Sequence, residues 1–419
     1  MRVVRALLWS VVLIQVTDFA VAQPVQPPKL AAWLTPSLTY DGSAVANLRG
    51  GERTGSTYVG NLHLKLSVDT DSSAWPGTSA FADVLNIHGG HPSRLSGDAQ
   101  GVSNIEGPSG TQIEELWIQH NFAGGGVSVL TGIYDLNSEF YRLQSAGLFQ
   151  NSAFGIGPEF AQSGVEGPSI FPRTSAGMRL DYKPVPHVVL RAALLDGVPV
   201  VRPDGSRAVF ANGDGLLSVA EVAFLSRERQ ARRNVSAMRD RIGRFSSLSP
   251  YDDKLAIGAW RYSGRYPDLS DVDAAGKAVS RRGSAGMYIV VEHLLLGSGK
   301  DTGERLAAFA QAGVADARTN RFGSHLSAGL VGSGWGLLTA SDQIGAAITR
   351  SNNGSHYRRS QAAQNVATTS AETTVELTYL AQVSKHLTVQ PDLQYVRHPD
   401  TDPSLATAWV MQLRFELSF

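Results

Sequence analysis

The sequence predicts an all-β fold, a transmembrane antiparallel barrel of about sixteen strands with inward-folded extracellular loops. Segments of about ten residues that alternate apolar and polar positions recur along the chain, and the chain ends in such a segment. Beyond the N-terminal region, no stretch approaches the ~20 consecutive apolar residues that a membrane-spanning helix needs. A closed barrel would place the apolar faces in lipid and leave no strand edge unpaired.

The closing segment, 407–419, shows the alternation most clearly. Its odd positions are apolar or aromatic, whereas its even positions include Gln412, Arg414 and Glu416. Alternate side chains of a strand face opposite sides, so the first set is predicted to face lipid and the second to form the pore wall. An apolar strand at the very end suits a barrel whose last strand pairs with its first, with Phe419 contacting the barrel-assembly machinery. Taken alone, the segment also fits a terminal strand of a soluble sandwich.

The N-terminus predicts export. Arg2 and Arg5 precede an apolar run, and Ala20 to Ala22 supplies a small-x-small cleavage site. This pattern is typical of a secretory signal peptide over residues 1–22, which leaves 23–419 as one outer-membrane barrel domain of a Gram-negative cell. An uncleaved membrane anchor is the alternative.

Composition narrows the classes of function. The 37 Lys and Arg residues balance 37 Asp and Glu residues, so no basic surface points to nucleic acid. The chain contains no cysteine, which excludes disulfides and thiol catalysis. We predict no cofactor and no metal. The predicted surrounding partner is outer-membrane lipid. The composition leaves the oligomeric state undecided between a monomer and an oligomer.

Counting the alternating segments predicts sixteen strands, and an even number places both termini on the periplasmic side. Only two residues separate the last two long runs before the closing strand, which suits a tight hairpin. The predicted strands are 33–43, 57–69, 79–88, 111–122, 127–135, 173–183, 187–197, 215–226, 252–264, 285–296, 304–316, 322–332, 336–349, 372–383, 386–397 and 407–419.

The connections between these strands differ in length between the two sides. Periplasmic connections such as 123–126 and 384–385 are short, as an outer-membrane barrel requires. The exception is 227–250, which carries seven arginines. We interpret it as a surface loop or helix without a binding role. The alternative is a segment that binds a periplasmic partner or an anionic lipid surface. The long extracellular connections are predicted at 89–110, 136–172, 198–214, 265–284 and 350–371.

Two of the long connections are predicted to fold into the lumen. Residues 136–172 carry five phenylalanines that need burial, and the interior of a wide barrel offers the space. A loop placed there narrows the pore. Residues 89–110 carry polar and charged side chains that could line the same constriction.

Short motifs in these loops, and their order, resemble the carbohydrate-selective porins of the OprB family over residues 55–419. The matching stretches are His88-Gly89, Pro92-Ser93, Gly97 to Glu106, Glu115-Leu116-Trp117, Asn137 to Phe140, Leu148 to Ser152, Phe154 to Ile156, Gly167 to Pro172, Asp196 to Pro199 and Leu387 to Tyr395.

This resemblance implies a sixteen-stranded porin that lets monosaccharides such as glucose diffuse through the outer membrane, with two inward loops forming a charged eyelet. Many relatives have Arg-Leu-Tyr where this chain has Gln112-Ile113-Glu114, so the pore loses a positive charge there and gains an acid. The implied eyelet residues are Arg94 and Glu106 on the first loop, Arg142, Glu159, Glu166 and Arg173 on or beside the second, and Glu115, Arg179 and Asp181 on neighbouring strands.

Such a set of side chains suits small neutral sugars as partners. Sugars carry many hydroxyl groups, which Arg, Glu, Asp and Asn can bind as fixed donors and acceptors. Aromatic side chains can contact the apolar ring face, and binding must stay weak enough for release. The same charges could instead form salt bridges that only stabilise the loops.

Three other functions remain open from the residues alone. A general, non-selective porin or an anion pore would differ only in the geometry of the eyelet. An outer-membrane barrel hydrolase would need a nucleophile with a base, yet the chain has no Gly-x-Ser-x-Gly motif. His88 and His91 could form a metal pair, but a structural role in the loop is the simpler interpretation. A soluble periplasmic sugar-binding protein would expose the apolar strand faces to water.

Overall fold

The computed structural model describes most of the chain after the N-terminal region. The predicted signal peptide, 1–22, and the arginine-rich connection, 227–250, lie outside the described residues. None of the described helices has the length and apolarity to cross a membrane. The described residues are 33–70, 75–201, 207–210, 215–226, 253–297, 304–336 and 342–419.

Sixteen antiparallel strands form one closed barrel, which confirms the predicted fold class and strand number. Strands adjacent in sequence pair with each other, and the last strand pairs with the first. In chain order the strands are β1 (Leu34–Arg49), β2 (Gly55–Asp69), β3 (Thr78–Gly89), β4 (Gly110–Phe122), β5 (Val127–Tyr134), β6 (Ser175–Val185), β7 (Val188–Asp196), β8 (Val200–Val201), β9 (Arg207–Ala208), β10 (Leu216–Leu225), β11 (Asp253–Val272), β12 (Ala278–Leu296), β13 (Arg305–Ala315), β14 (Phe322–Ser333), β15 (Gln343–Asn353), β16 (Ala371–Gln382), β17 (Leu387–Arg397) and β18 (Ala408–Ser418). The short strands β8 and β9 form a separate hairpin within the connection from β7 to β10.

The seam between β18 and β1 fixes the last residue of the chain. The backbone of Phe419 exchanges hydrogen bonds of 2.9 and 3.0 Å with Leu38. The ring of Phe419 also stacks on His386, with 5.0 Å between the ring centroids. These contacts explain how the chain can end on an apolar strand without fraying.

The alternation along each strand separates two faces of the wall. On β18, Met411 and Leu413 are exposed on the outer face, whereas Gln412 and Arg414 are buried on the inner face. The wall is thus apolar outside and polar inside, the reverse of a soluble barrel. The predicted orientation of the closing strand is confirmed.

Several predicted boundaries are wrong, and the first strand, predicted to end at residue 43, extends to Arg49. Residues 265–284 are not a long loop, because β11 and β12 continue as a paired hairpin and leave only 273–277 as the turn. Irregular pairing next to Gly264 and Pro267 accommodates both residues within β11. Strand β15 begins at Gln343 rather than at residue 336.

The barrel interior is filled by two connections, here called the first loop (90–109) and the second loop (135–174), and the end of the barrel that carries them is the long-loop end. Buried apolar residues of the second loop join inward-facing aromatic residues of the wall in one cluster. The described helices and helical turns are Ser93–Ser96, Ala123–Gly125, Leu136–Ser138, Ala146–Leu148, Ser152–Phe154, Pro158–Ala161, Ser355–Ala363 and Pro399–Thr401.

Candidate channel constriction

Aromatic packing holds the second loop inside the barrel. The ring of Phe160 stacks nearly parallel on Trp260 of β11, with 4.7 Å between centroids and 5° between planes. Further along the loop, the Phe149 centroid lies 4.9 Å from Phe154 and 5.6 Å from Phe309 of β13. The predicted burial of the loop phenylalanines in the lumen is confirmed for these residues.

Carboxylates on the inner wall accept hydrogen bonds from the backbone of the second loop. Glu376 of β16 accepts from the N–H groups of Gln150 at 2.5 Å and Asn151 at 3.0 Å. Glu292 of β12 accepts from the N–H of Ser145 at 2.6 Å. Hydrogen bonds in a low-dielectric site are stronger than in water, so each acid fixes one point of the loop.

Wall amides and amines bind the loop carbonyl groups in a complementary way. The side-chain amide of Gln390 on β17 donates to the carbonyl oxygen of Leu148 at 2.7 Å. The Lys254 ammonium on β11 donates to the carbonyl oxygen of Arg142, also at 2.7 Å. Because both kinds of bond go to the backbone, they satisfy buried polar groups of a segment that has little regular structure.

The first loop is held against the wall by the same kinds of contact. Glu372 of β16 accepts from the backbone N–H groups of Ala99 at 2.8 Å and Gln100 at 2.9 Å. The Gln412 amide of β18 donates to the carbonyl oxygen of Val102 at 2.6 Å. The inner face of the closing strand, predicted to form the pore wall, is therefore covered by this loop where Gln412 lies.

The two loops also contact each other. The side-chain amide of Gln162 donates to the carbonyl oxygen of Ala99 at 2.6 Å. At a second point, Gly107 lies so close to Pro172 that an added Cβ would be 3.0 Å from the proline ring. The segments between these contacts, 100–106 and 163–171, belong to one joined body inside the barrel.

Four of the predicted eyelet residues are buried. Two of them, Arg179 and Asp181, lie in an ion-pair network on the inner face of β6. Arg179 binds Glu139 of the second loop through Nε at 2.8 Å and through Nη2 at 3.0 Å. Asp181 accepts two bonds from Arg191 of β7, at 2.7 and 3.0 Å. Because Arg179 is only 2% exposed, this network positions the beginning of the second loop.

Glu115, the third buried candidate, reaches the inner face because the pairing of β3 with β4 is irregular between Asp83 and Val84. The irregularity turns both Glu114 and Glu115 inward. Glu115 accepts a bond of 2.9 Å from the indole of Trp117. Glu115 thus stabilises the inner wall of β4 near the beginning of the second loop.

Glu159, the fourth, lies in the short helix Pro158–Ala161 and is 1% exposed. Its carboxylate accepts a bond of 3.0 Å from the Tyr141 hydroxyl. Burial raises the pKa of the Glu159 carboxyl to about 7, although the bond from Tyr141 favours the ionised form. A carboxyl in this environment is part of the packing of the loop.

The other five candidates retain contact with solvent. Arg94 is exposed in the last turn of the helix Ser93–Ser96, and Arg142 is half-buried. Arg173 and Glu166 form an ion pair whose side chains are 41% and 43% exposed. Glu106, the fifth, is less open than these.

Glu106 is held in place by its own loop. Its carboxylate accepts bonds of 3.0 and 2.9 Å from the backbone N–H and the hydroxyl of Ser93, and His91 lies 3.4 Å away. Burial raises the pKa of the Glu106 carboxyl, and the bonds from Ser93 partly offset this effect. His88 instead contacts Tyr40 at 3.0 Å, so the two histidines suggested as a metal pair face different partners.

The sequence did not reveal the residues that anchor the loops, among them Glu221, Glu292, Glu372, Glu376 and Lys254. Their inward positions follow from the alternation, which is a signal that the sequence contains. Their partners are backbone groups of distant loops, and no residue pattern marks such contacts.

Comparison with known proteins agrees with this architecture. A model of the family described as "Carbohydrate-selective porin, OprB family" matches residues 53–419. Porin B of Pseudomonas aeruginosa is 23% identical over 415 residues, covering 91% of this chain and 87% of that protein.

Two solved structures share the fold. The high-pH structure of Pseudomonas putida OprB has a TM-score of 0.78 at 19% identity, covering 92% of this chain and 94% of that one. The outer membrane channel DcaP of Acinetobacter baumannii has a TM-score of 0.51 at 10% identity, covering 92% of this chain and 97% of that one. Together with the family match over nearly the whole barrel, the sixteen-stranded architecture leads to one conclusion: the chain belongs to the carbohydrate-selective porins of the OprB family.

Proposed function

We propose that this porin lets small neutral sugars, monosaccharides of the glucose type, diffuse passively into the periplasm. The observation that carries the proposal is the joined pair of loops fixed across the barrel interior. A polar filter held by the wall can discriminate between solutes, whereas an unobstructed wide barrel would pass them by size alone.

The solvent-exposed charges on the two loops are the proposed contacts for the sugar. Arg94, Arg173 and Glu166 retain enough exposure to meet a solute, and Arg142 and Glu106 do so in part. Guanidinium groups donate and carboxylates accept, so together they match the hydroxyl groups of a sugar without recognising a net charge. The buried Glu115, Glu159, Arg179 and Asp181 support the proposal indirectly, by holding the loops that carry these contacts.

Membership of a porin family implies a location in the outer membrane. We attribute export to the predicted signal peptide at 1–22 and insertion to recognition of the closing strand at Phe419. In this orientation the long-loop end faces outward and both termini face the periplasm. Passage through the barrel requires no catalytic residue and no cofactor.

Liposome swelling tests the proposal. Purified protein is reconstituted, and the entry of a series of monosaccharides and disaccharides is compared with that of neutral amino acids of similar size. Selective function predicts faster entry for monosaccharides than for the amino acids. Equal rates at equal size would show a general, non-selective porin instead.

Two variants in the same assay test whether selectivity depends on the charged loop side chains rather than on the barrel alone. Arg173→Gln removes an exposed loop charge, and Arg49→Gln removes a charge from the outer rim of β1 as a control. The first is expected to change the ratio of sugar to amino acid entry, and the second to leave it unchanged. Identical ratios in both variants would remove Arg173 from the eyelet.

A further inference from the structure

The hairpin of β11 and β12 continues at the long-loop end as a paired extension that carries charges on both of its faces. On the inner face, Arg281 is neutralised, because it donates bonds of 2.8 Å to Asp268 and 2.7 Å to Asp271. The outer face differs, because Arg261, Arg265 and Arg282 are all exposed there. These three residues are called the outer arginine patch below.

The patch brings like charges together. Arg265 and Arg282 are direct cross-strand partners, so their side chains point to the same face. The guanidinium of Arg261 lies beside Gly283, where an added Cβ would be 3.6 Å from its Nε. Three cations therefore lie within the first residues of the extension beyond the regular barrel pairing.

No carboxylate neutralises the patch among the residues that the structure describes. The neighbouring acids already have basic partners: Asp268 and Asp271 bind Arg281, and Asp316 binds Arg318. Like charges directly opposite each other destabilise a pair of strands. An arrangement of this kind on an exposed face indicates an anion that comes from outside the chain.

The position of the patch on the wall indicates which anion. On the same outward face of the same strands, Ile257 and Ile289 are cross-strand partners and Met287 follows, each 41% to 56% exposed. From Ile257 to Arg261 the distance along the strand is about 13 Å at ~3.3 Å per residue. The cations thus lie directly above an apolar strip, in the order in which a lipid presents its acyl chains and its headgroup.

From this geometry we infer that the outer arginine patch binds the phosphate groups of a phosphorylated lipid headgroup in the leaflet at the long-loop end. Guanidinium groups bind phosphate through two parallel N–H bonds, and three of them can share a headgroup that carries more than one phosphate. The bound phosphates remove the repulsion between Arg265 and Arg282. Lipid binding thereby stabilises a hairpin that is otherwise under electrostatic strain.

The test uses the full chain in neutral detergent, titrated with lipid A that carries both phosphates. Retention of the lipid is counted by native mass spectrometry, and thermal stability is followed in parallel. Parallel titrations use dephosphorylated lipid A, inorganic phosphate and phosphatidylcholine. Lipid A with its phosphates is expected to bind and to raise the melting temperature, whereas the other three are not.

Variants assign the effect to the patch. R265Q/R282Q is expected to need about twenty-five-fold more lipid A for equal retention, at about fivefold per arginine near an anionic surface. R265K/R282K, which keeps both charges, should lose less. The matched control R318Q/R359Q removes two exposed arginines from the same end of the barrel, each within 4.0 Å of a carboxylate, and should bind as the parent does.

The thermal stabilities of the parent and of R265Q are also compared in the absence of lipid. Because the substitution removes repulsion, R265Q in neutral detergent should be at least as stable as the parent, and the order should reverse when lipid A is added. Equal lipid retention by R265Q/R282Q and the parent would overturn the inference. Equal binding of dephosphorylated lipid A, an equal effect of inorganic phosphate, or an equal loss in R318Q/R359Q would also overturn it.

Discussion

The aromatic contacts of the second loop should determine how narrow the pore is, and Phe149→Ala tests this directly. Phe149 is 1% exposed and packs against Phe154 and Phe309. The wall approaches it closely as well, because an added Cβ at Gly345 would lie 2.8 Å from its Cζ atom. Truncation would therefore leave a cavity between the loop and the wall that neighbouring atoms fill only in part.

The expected free-energy cost of Phe149→Ala follows from the burial of this side chain. A Phe→Ala change in a packed core costs about 3–5 kcal/mol. The strands themselves stay paired, so the cost falls on the docking of the loop rather than on the barrel. At about 1.4 kcal/mol for each factor of ten, the equilibrium between docked and undocked loop shifts by about a hundredfold or more.

Single-channel conductance in planar bilayers measures the effect. Phe149→Ala should raise the conductance, weaken the preference for sugars, and expose the second loop to protease, while heat-modifiable gel migration stays that of an intact barrel. Phe224→Ala, which removes a lipid-facing ring that is 46% exposed, is the matched control. Unchanged conductance together with a protected loop in Phe149→Ala would refute the claim that aromatic packing holds the constriction.

Three further predictions concern charged groups. Glu376→Gln leaves one side-chain oxygen to accept from the N–H groups of Gln150 and Asn151, so loop protection against protease should fall by about 1–3 kcal/mol, and an unchanged protease rate would contradict this. Burial raises the pKa of Glu159 from its usual 4.5 to about 7, so its contribution to loop stability is full below pH 4.5 and is lost as the pH rises through about 7, at up to about 3 kcal/mol. Glu159→Gln should abolish that part of the pH dependence in thermal unfolding, and an unaltered profile would show that another group titrates. Arg173→Gln breaks an exposed pair with Glu166, so stability should change by less than about 1 kcal/mol while sugar flux changes, and the opposite result would make the pair structural.

The barrel could be predicted from the sequence because its signal is local and repeated. Each strand alternates, and the pairing of the last strand with the first follows from the need to close the edge. The prediction failed where local signals conflicted. Gly264 and Pro267 normally interrupt strands, yet irregular pairing lets β11 and β12 continue past them.

The candidate site was predictable only in part. The phenylalanines of the second loop indicated inward folding, because an exposed loop would leave them in water. Which charged side chains remain exposed to solvent could not be predicted. Arg179 and Arg173 look alike in the sequence, yet Arg179 is buried and Arg173 is exposed. Their difference depends on Glu139 and Arg191, which pack around Arg179 only in the closed barrel.

The central claim, that a sugar binds between loops fixed in the lumen, is tested most directly by current noise in a single open channel. Glucose added at the long-loop end should interrupt the ion current briefly, with a frequency that saturates as the sites fill. Arg173→Gln should shift that saturation to another concentration, whereas Arg49→Gln should not. A current that falls only with the viscosity of the sugar solution, without resolved interruptions or saturation, would contradict the account.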